Sequence, residues 1–134
     1  MPICYLGIGS NLGDRKNNIK SALKKVNGLK GTKVVNTSKI IETKPVGGAV
    51  GQNDYLNAAA KIKTSLKPRV LLKELKNIES RLGRPRKHAR YSARTIDLDI
   101  IFYGDKIISS KGLEIPHPRI FEREFVIKPL LEIL

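Results

Sequence analysis

The chain has 134 residues and a mass of 14.9 kDa, which reads as one domain over residues 1–134. Hydrophobic residues make up 40% and charged residues 28%, which excludes the disordered class, and no apolar run approaches the roughly 20 residues of a membrane helix. The net charge of +14 is in part a solvated lysine surface, with Lys24, Lys25, Lys61 and Lys63 read as outward positions; beyond that it points to a polyanionic partner, either nucleic acid or a phosphate-rich small molecule. The N-terminus has no signal-peptide layout, and Cys4 is the lone cysteine, in an apolar stretch that reads as core, so a reducing cytoplasmic setting is expected.

In chain order, residues 4–8 read as a short buried strand bounded by glycines. Asp14 is placed to cap a helix in which Ile19, Ala22, Leu23 and Val26 recur at helical spacing, and Gly28 falls where a left-handed cap would end it. Residues 33–41 are rich in β-branched side chains and read as a strand. Residues 44–51 hold Pro45 and three glycines and read as irregular, and residues 55–62 read as a further strand antiparallel to the previous one. A second helix is expected from Pro68, with Leu71, Leu75, Ile78 and Leu82 as its apolar stripe and Gly83 at its end. Residues 84–92 are too basic for core. Residues 95–103 read as a strand, 104–105 as a turn and 106–108 as another short strand. Pro116, His117 and Pro118 form a rigid bend, and a short helix is expected within 119–134, where Pro129 limits its run. The order β-α-β-β-α-β predicts an α+β fold with a ferredoxin-like core, a mainly antiparallel sheet with helices packed around it.

The strongest local signal runs from Arg94 through Ile101. Side chains alternate along a strand, so Ile96, Leu98, Ile100 and Phe102 are expected on one face and Asp97 and Asp99 on the other, roughly 7 Å apart at their roots. Two carboxylates on one face repel unless something positive compensates them. Magnesium fits, because it is held by one or two carboxylates while keeping water and substrate-phosphate oxygens as its other ligands. An acid pair alone leaves a solvated sheet face, or pairing with arginine, equally open. Its surroundings narrow the choice: Arg81, Arg84, Arg86, Lys87, Arg90 and Arg94 precede it, with His88 and Tyr91 among them. Arginine forks opposite carboxylate-bound metal make a clamp for phosphates, and phosphoryl transfer depends chiefly on such positioning and charge neutralisation. His117, its ring held by the flanking prolines, reads as either a buried structural histidine or a phosphate donor, with the second slightly favoured. The segment from Gly7 to Gly13 misses the dinucleotide-binding spacing by one residue and reads instead as a turn that needs glycine backbone freedom. A rival reading, a nucleic-acid-binding module on a ferredoxin-like sheet, would use exposed aromatics on that sheet, but aromatics are 5% here and no such cluster is present.

Taken together, the segments Gly9 to Arg15, Asp54 to Ala59, Ile78-Glu79, Leu82 to Arg84, Arg94 to Ile101, Ile115 to Arg119 and Arg123 to Val126 resemble the 6-hydroxymethyl-7,8-dihydropterin pyrophosphokinases of folate biosynthesis, in the family's order and across nearly the whole chain. The resemblance implies transfer of the β,γ-diphosphate of ATP to the hydroxymethyl group of the dihydropterin, with release of AMP. It implies that Asp97 and Asp99 hold two Mg²⁺ ions, that Arg84 and Arg94 stabilise charge with help from Arg86 and Arg90, and that Tyr91, His117 and Arg123 belong to the ATP site. It further implies that Tyr55 and Phe125 sandwich the pterin while Asn57 and backbone near Thr43 and Val46 bond its polar edge. Tyr91 stands where several relatives have tryptophan, Ser92 where the signature has glycine, and Lys44 where some have proline. The expected partners are these two small molecules, with no nucleic acid and no membrane, and the expected state is a monomer.

Overall fold

The computed structural model describes residues 1–43, 54–83, 95–118, 120 and 124–134. Its elements are β1 (Ile3–Ser10), α1 (Arg15–Asn27), β2 (Thr32–Thr37), β3 (Ile41–Thr43), β4 (Tyr55–Thr64), α2 (Pro68–Arg81), β5 (Asp97–Tyr103), β6 (Ile108–Ser110), β7 (Leu113–Ile115) and α3 (Glu124–Ile133). The main sheet runs β2-β4-β1-β5 with β3 also on β4, and every pairing is antiparallel, giving the expected α+β class.

One face of the sheet carries Cys4, Leu6 and Ile8 of β1, Ala58, Ala60 and Ile62 of β4, and Leu98 and Ile100 of β5. These pack with Ile19, Ala22 and Val26 of α1 and Leu71, Leu75 and Ile78 of α2 into one core. The helical spacing of those residues is what brings them onto a single stripe. Asp14 caps α1 as expected, its carboxylate accepting from the Asn17 N–H at 3.2 Å. Leu75 is fully buried, so Leu75→Ala is expected to cost about 2–5 kcal/mol in urea denaturation through lost contacts and the cavity left behind.

Four expectations are corrected. Gly28 is right-handed (φ −86°): its N–H stays bonded to the Lys24 and Lys25 carbonyls, and the left-handed residue comes later, at Gly31 (φ 66°). The strand expected over 33–41 is divided, because a bulge between Val34 and Asn36 is followed by a break at Ser38, whose hydroxyl accepts from the Ala59 N–H at 2.8 Å. The strand expected at 106–108 starts instead at Ile108 and forms a hairpin with β7, turning on Gly112 (φ 81°). Finally, Phe102 does not share a face with Leu98 and Ile100. A register shift between Tyr5 and Leu6 leaves Ile101 as an extra residue in β5, so the alternation is reset: Phe102 pairs with Tyr5 on the opposite face, ring edge to ring face at 6.2 Å between centroids.

That second face is partly covered by α3. Ile101, Ile120 and Leu130 form a small second core with Tyr5, Phe102, Val126 and Ile127 around it. Helix α3 continues through Pro129, which has no N–H to give, and the packing of Pro129, Leu130 and Ile133 holds the last turn in place. Lys24, Lys25 and Lys63 are exposed as expected, while Lys61 is half-buried with its ammonium 5.8 Å from the Tyr5 ring centre. No helix among the described residues is long and apolar enough to cross a membrane.

Cys4 is fully buried, and burial pushes its thiol from 9.0 up to about 12. Burial, and then a charge on Cys4, also raises Tyr103, whose hydroxyl donates to the Leu66 carbonyl. The unfolded thiol ionises near pH 9 while the folded one stays neutral. Its contribution to stability is therefore complete below pH 9 and declines as the pH rises towards 12. A thiol reagent at pH 8 is expected to leave the native protein unlabelled and to label it fully in denaturant.

Candidate active site

The sheet's second face gathers the candidate residues because of strand register. Gly9 lies between Asn57 of β4 and Asp97 of β5, and Gly7 lies between Ala59 and Asp99. Directly paired residues of an antiparallel sheet project to the same side. Asp97 and Asp99 are thus on one face, both half-buried, as the alternation predicts. Asn57, 7% exposed, shares that face, and its Nδ2 donates to Thr43 Oγ1 at 2.7 Å. Tyr55, half-buried, pairs with Thr43 across the β3–β4 ladder.

Between the acid pair and the Tyr55–Asn57 pair β1 contributes two glycines: Gly9 leaves its backbone uncovered, while at Gly7 the end of Ile101 lies 3.4 Å from where a Cβ would stand. Gly7 and Gly9 are inside β1, not in a turn; within the stretch expected to turn, only Gly13 (φ 71°) uses glycine's conformational freedom. A Cβ on Gly9 would sit 3.2 Å from Asn57 Oδ1 and 3.5 Å from Tyr55 Cδ1. The glycine therefore serves the space above it. Neighbouring strands are about 4.8 Å apart, so the trough between the roots of Asn57 and Asp97 is about 10 Å wide. The period of two in Gly7-Ile8-Gly9 was the sequence signal for this floor.

His117 follows the cis Ile115–Pro116 bond, and its backbone N–H donates to the Ile101 carbonyl at 3.0 Å, which seats it beside the acid strand. It lines a cavity of about 260 Å³ with Asp99, Ile100, Leu113 and Pro118. Leu72, Lys76 and Glu114 line it too, and none of these three was singled out in the sequence. Phe125 is half-buried in the first turn of α3, the helix that crosses the same face. Arg15, also not foreseen, donates to the Asp54 carbonyl at 2.6 Å and lies 3.7 Å from Glu42, joining the start of β4 to β3. Val46, Arg84, Arg86, Arg90, Tyr91, Arg94 and Arg123 lie outside the described residues, as does the irregular stretch expected at 44–51.

Among the described residues no three His, Cys, Asp or Glu side chains gather as a metal cage. Two carboxylates on alternate strand positions are a hard oxygen donor set nonetheless, and such a set suits an ion that keeps water and phosphate ligands.

An antiparallel α+β domain with a carboxylate pair beside a cavity, and an aromatic and an amide across a bare strand from it, is built as a small-molecule enzyme rather than as a scaffold. Residues 5–134 match the 7,8-dihydro-6-hydroxymethylpterin-pyrophosphokinase (HPPK) family model, and the chain belongs to that family. It is 46% identical over 133 residues to the 2-amino-4-hydroxy-6-hydroxymethyldihydropteridine pyrophosphokinase of Haemophilus influenzae, covering 99% of this chain and 82% of that protein. The Bacillus subtilis protein of the same name is 43% identical over 131 residues, covering 98% and 77% respectively. A folic acid synthesis protein of Pneumocystis carinii is 50% identical over 129 residues; the match takes in 96% of this chain but only 17% of that longer protein. Among solved structures, an HPPK-DHPS protein of Plasmodium falciparum superposes with a TM-score of 0.73 over 98% of this chain and 40% of that one, at 18% identity, which bears on the fold.

Proposed function

We infer that this protein transfers the β,γ-diphosphate of ATP to the hydroxymethyl oxygen of 6-hydroxymethyl-7,8-dihydropterin, releasing AMP, as a step of folate biosynthesis. The observation that carries the reading is the family match over residues 5–134, set on a face that holds the acid pair and the Tyr55–Asn57 pair across a bare floor. The hydroxymethyl oxygen forms a bond to the β-phosphorus, the bond from that phosphorus to the α,β-bridging oxygen breaks, and the hydroxyl proton is released.

Asp97 and Asp99 would hold two Mg²⁺ ions, which when bound supply charge neutralisation around the phosphates. The cavity beside Asp99 supports a nucleotide site, with His117 on its wall and apolar Leu72, Ile100 and Leu113 for a base. Asn57 presents Oδ1 towards the floor while Thr43 takes up its Nδ2, so the amide is held in one orientation for a polar ring edge. Tyr55 and Phe125 offer the aromatic faces for that ring. Arg84 and Arg94 stabilise developing charge, with Arg86, Arg90, Tyr91 and Arg123 completing the ATP contacts and Val46 the pterin contacts; the family resemblance supports these roles.

The sheet order β2-β4-β1-β5 supports a ferredoxin-like βαββαβ core whose second strand is divided into β2 and β3. On the same reading the chain works as one domain, as a monomer, without nucleic acid, and in the cytoplasm, where Cys4 stays a thiol. Light scattering well above 14.9 kDa would remove the monomer.

The test is incubation with ATP, Mg²⁺ and the hydroxymethyl-dihydropterin. AMP should appear in step with the pterin diphosphate, and excess chelator should stop it. Release of ADP instead, or nucleotide turnover indifferent to the pterin, would sink the reading.

A further inference from the structure

Among the described residues, strand β5 is an edge of the main sheet, paired with β1 on one side only. The backbone groups on its outer side have no strand to meet, and a buried N–H without a partner is costly. Leu98, the residue between the two acids, turns its N–H outward, where Glu79 Oε2 of α2 accepts it at 2.7 Å. Glu79 is 3% exposed, an unusual burial for a carboxylate. Its other oxygen lies 3.4 Å from the ammonium of Lys76, which lines the cavity beside Asp99.

The alternation of an antiparallel ladder explains why this bond matters. If Leu98 points its N–H to the open edge, its neighbours Asp97 and Asp99 point theirs to β1. Glu79 and β1 therefore grip the acid strand from opposite sides at three consecutive residues. The same carboxylate lies one helical turn before Gly83, and a Cβ on Gly83 would be 3.5 Å from Thr95 Oγ1. The end of α2 thus lies close to the approach to β5, and Glu79 is the side chain that bonds the two elements.

We propose that Glu79 is a positioning residue for metal-nucleotide binding: it sets the height of Asp97 and Asp99 against α2 and holds Lys76 at the cavity. The proposal rests on the nucleotide role of this face inferred above. Glu79 itself is not part of the cavity lining. A charge-assisted bond from a buried carboxylate to backbone is stronger and shorter than a neutral one, which suits it to fixing a strand edge.

Three variants separate positioning from simple stability. Glu79→Gln keeps an acceptor of the same reach, Glu79→Asp keeps the charge but draws it back by one methylene, and Glu79→Ala removes both. Calorimetric titration with the magnesium complex of the α,β-methylene analogue of ATP reads binding without turnover. A parallel titration with the hydroxymethyl-dihydropterin reports on the far side of the floor. Glu79→Asp and Glu79→Ala are expected to weaken the magnesium-nucleotide complex about 10- to 100-fold, Glu79→Gln by no more than about threefold, and all three to leave pterin affinity within about twofold. Should Glu79→Ala fail to fold, Glu79→Asp carries the comparison. Wild-type-like nucleotide binding by Glu79→Asp, or equal losses for nucleotide and pterin, overturns the positioning role while leaving the pyrophosphokinase reading in place. Failure of the wild-type protein to bind the nucleotide overturns both.

Discussion

Asp97→Ala and Asp99→Ala are each expected to lower AMP release by roughly three orders of magnitude, the scale on which preorganised charge stabilisation is lost. The two carboxylates are not interchangeable spares. They occupy successive outward positions of one strand, opposite Gly9 and Gly7, so neither can swing into the other's place. Thermal denaturation in the presence of ligand gives a second readout. Adding Mg²⁺ with the non-hydrolysable nucleotide should raise the wild-type midpoint and leave those of the two variants nearly unmoved. Near-wild-type turnover in either variant would remove the metal role.

The second large effect is expected at Gly9. Gly9→Ala places a methyl in ordinary contact with Tyr55 Cδ1 at 3.5 Å but only 3.2 Å from Asn57 Oδ1, so the amide must give way by a few tenths of an ångström. Asn57 is buried and bonded to Thr43, so a shift of its amide strains that bond and displaces Oδ1. Disturbing a buried hydrogen bond costs about 1–3 kcal/mol, or roughly a 5- to 150-fold loss of pterin affinity. Nucleotide affinity should change little. Gly7→Ala is the comparison: its Cβ would meet only the flexible end of Ile101 at 3.4 Å, and a much smaller effect on pterin binding is expected. Equal losses from both substitutions would mean that β1 is merely sensitive to bulk.

The residues that were legible in the sequence are those whose periodicity has one solution. Leu71, Leu75 and Ile78 can share a side only on a helix, and Asp97 and Asp99 can share one, away from Leu98, only on a strand. Asp14 announced itself by chemistry, as a short acceptor just before a helical stripe. The failures have a common cause in partners that lie far away in the chain. The reset at Phe102 comes from a bulge against β1, which no local pattern of β5 displays. The hairpin of β6 and β7 is too short for its alternation to be read. In sequence Gly7 and Gly9 read as turn residues because glycine's backbone freedom is the commoner reason for its presence, whereas at Gly9 its missing side chain is what counts. Lys76 and Glu79 sit on a helix remote from the acid strand, and only the docking of α2 on the edge of β5 brings them to it.

The bare stretch of β1 also bears on inhibition. A flat compound resting there would touch backbone atoms, and backbone cannot be exchanged by mutation. On the proposed reading any substitution at residue 9 adds atoms to the space the pterin ring would enter, so a change that expels the compound should expel the substrate with it. Selection for resistance to such a compound is therefore expected to return changes around the rim or in expression level, and to leave Gly9 untouched.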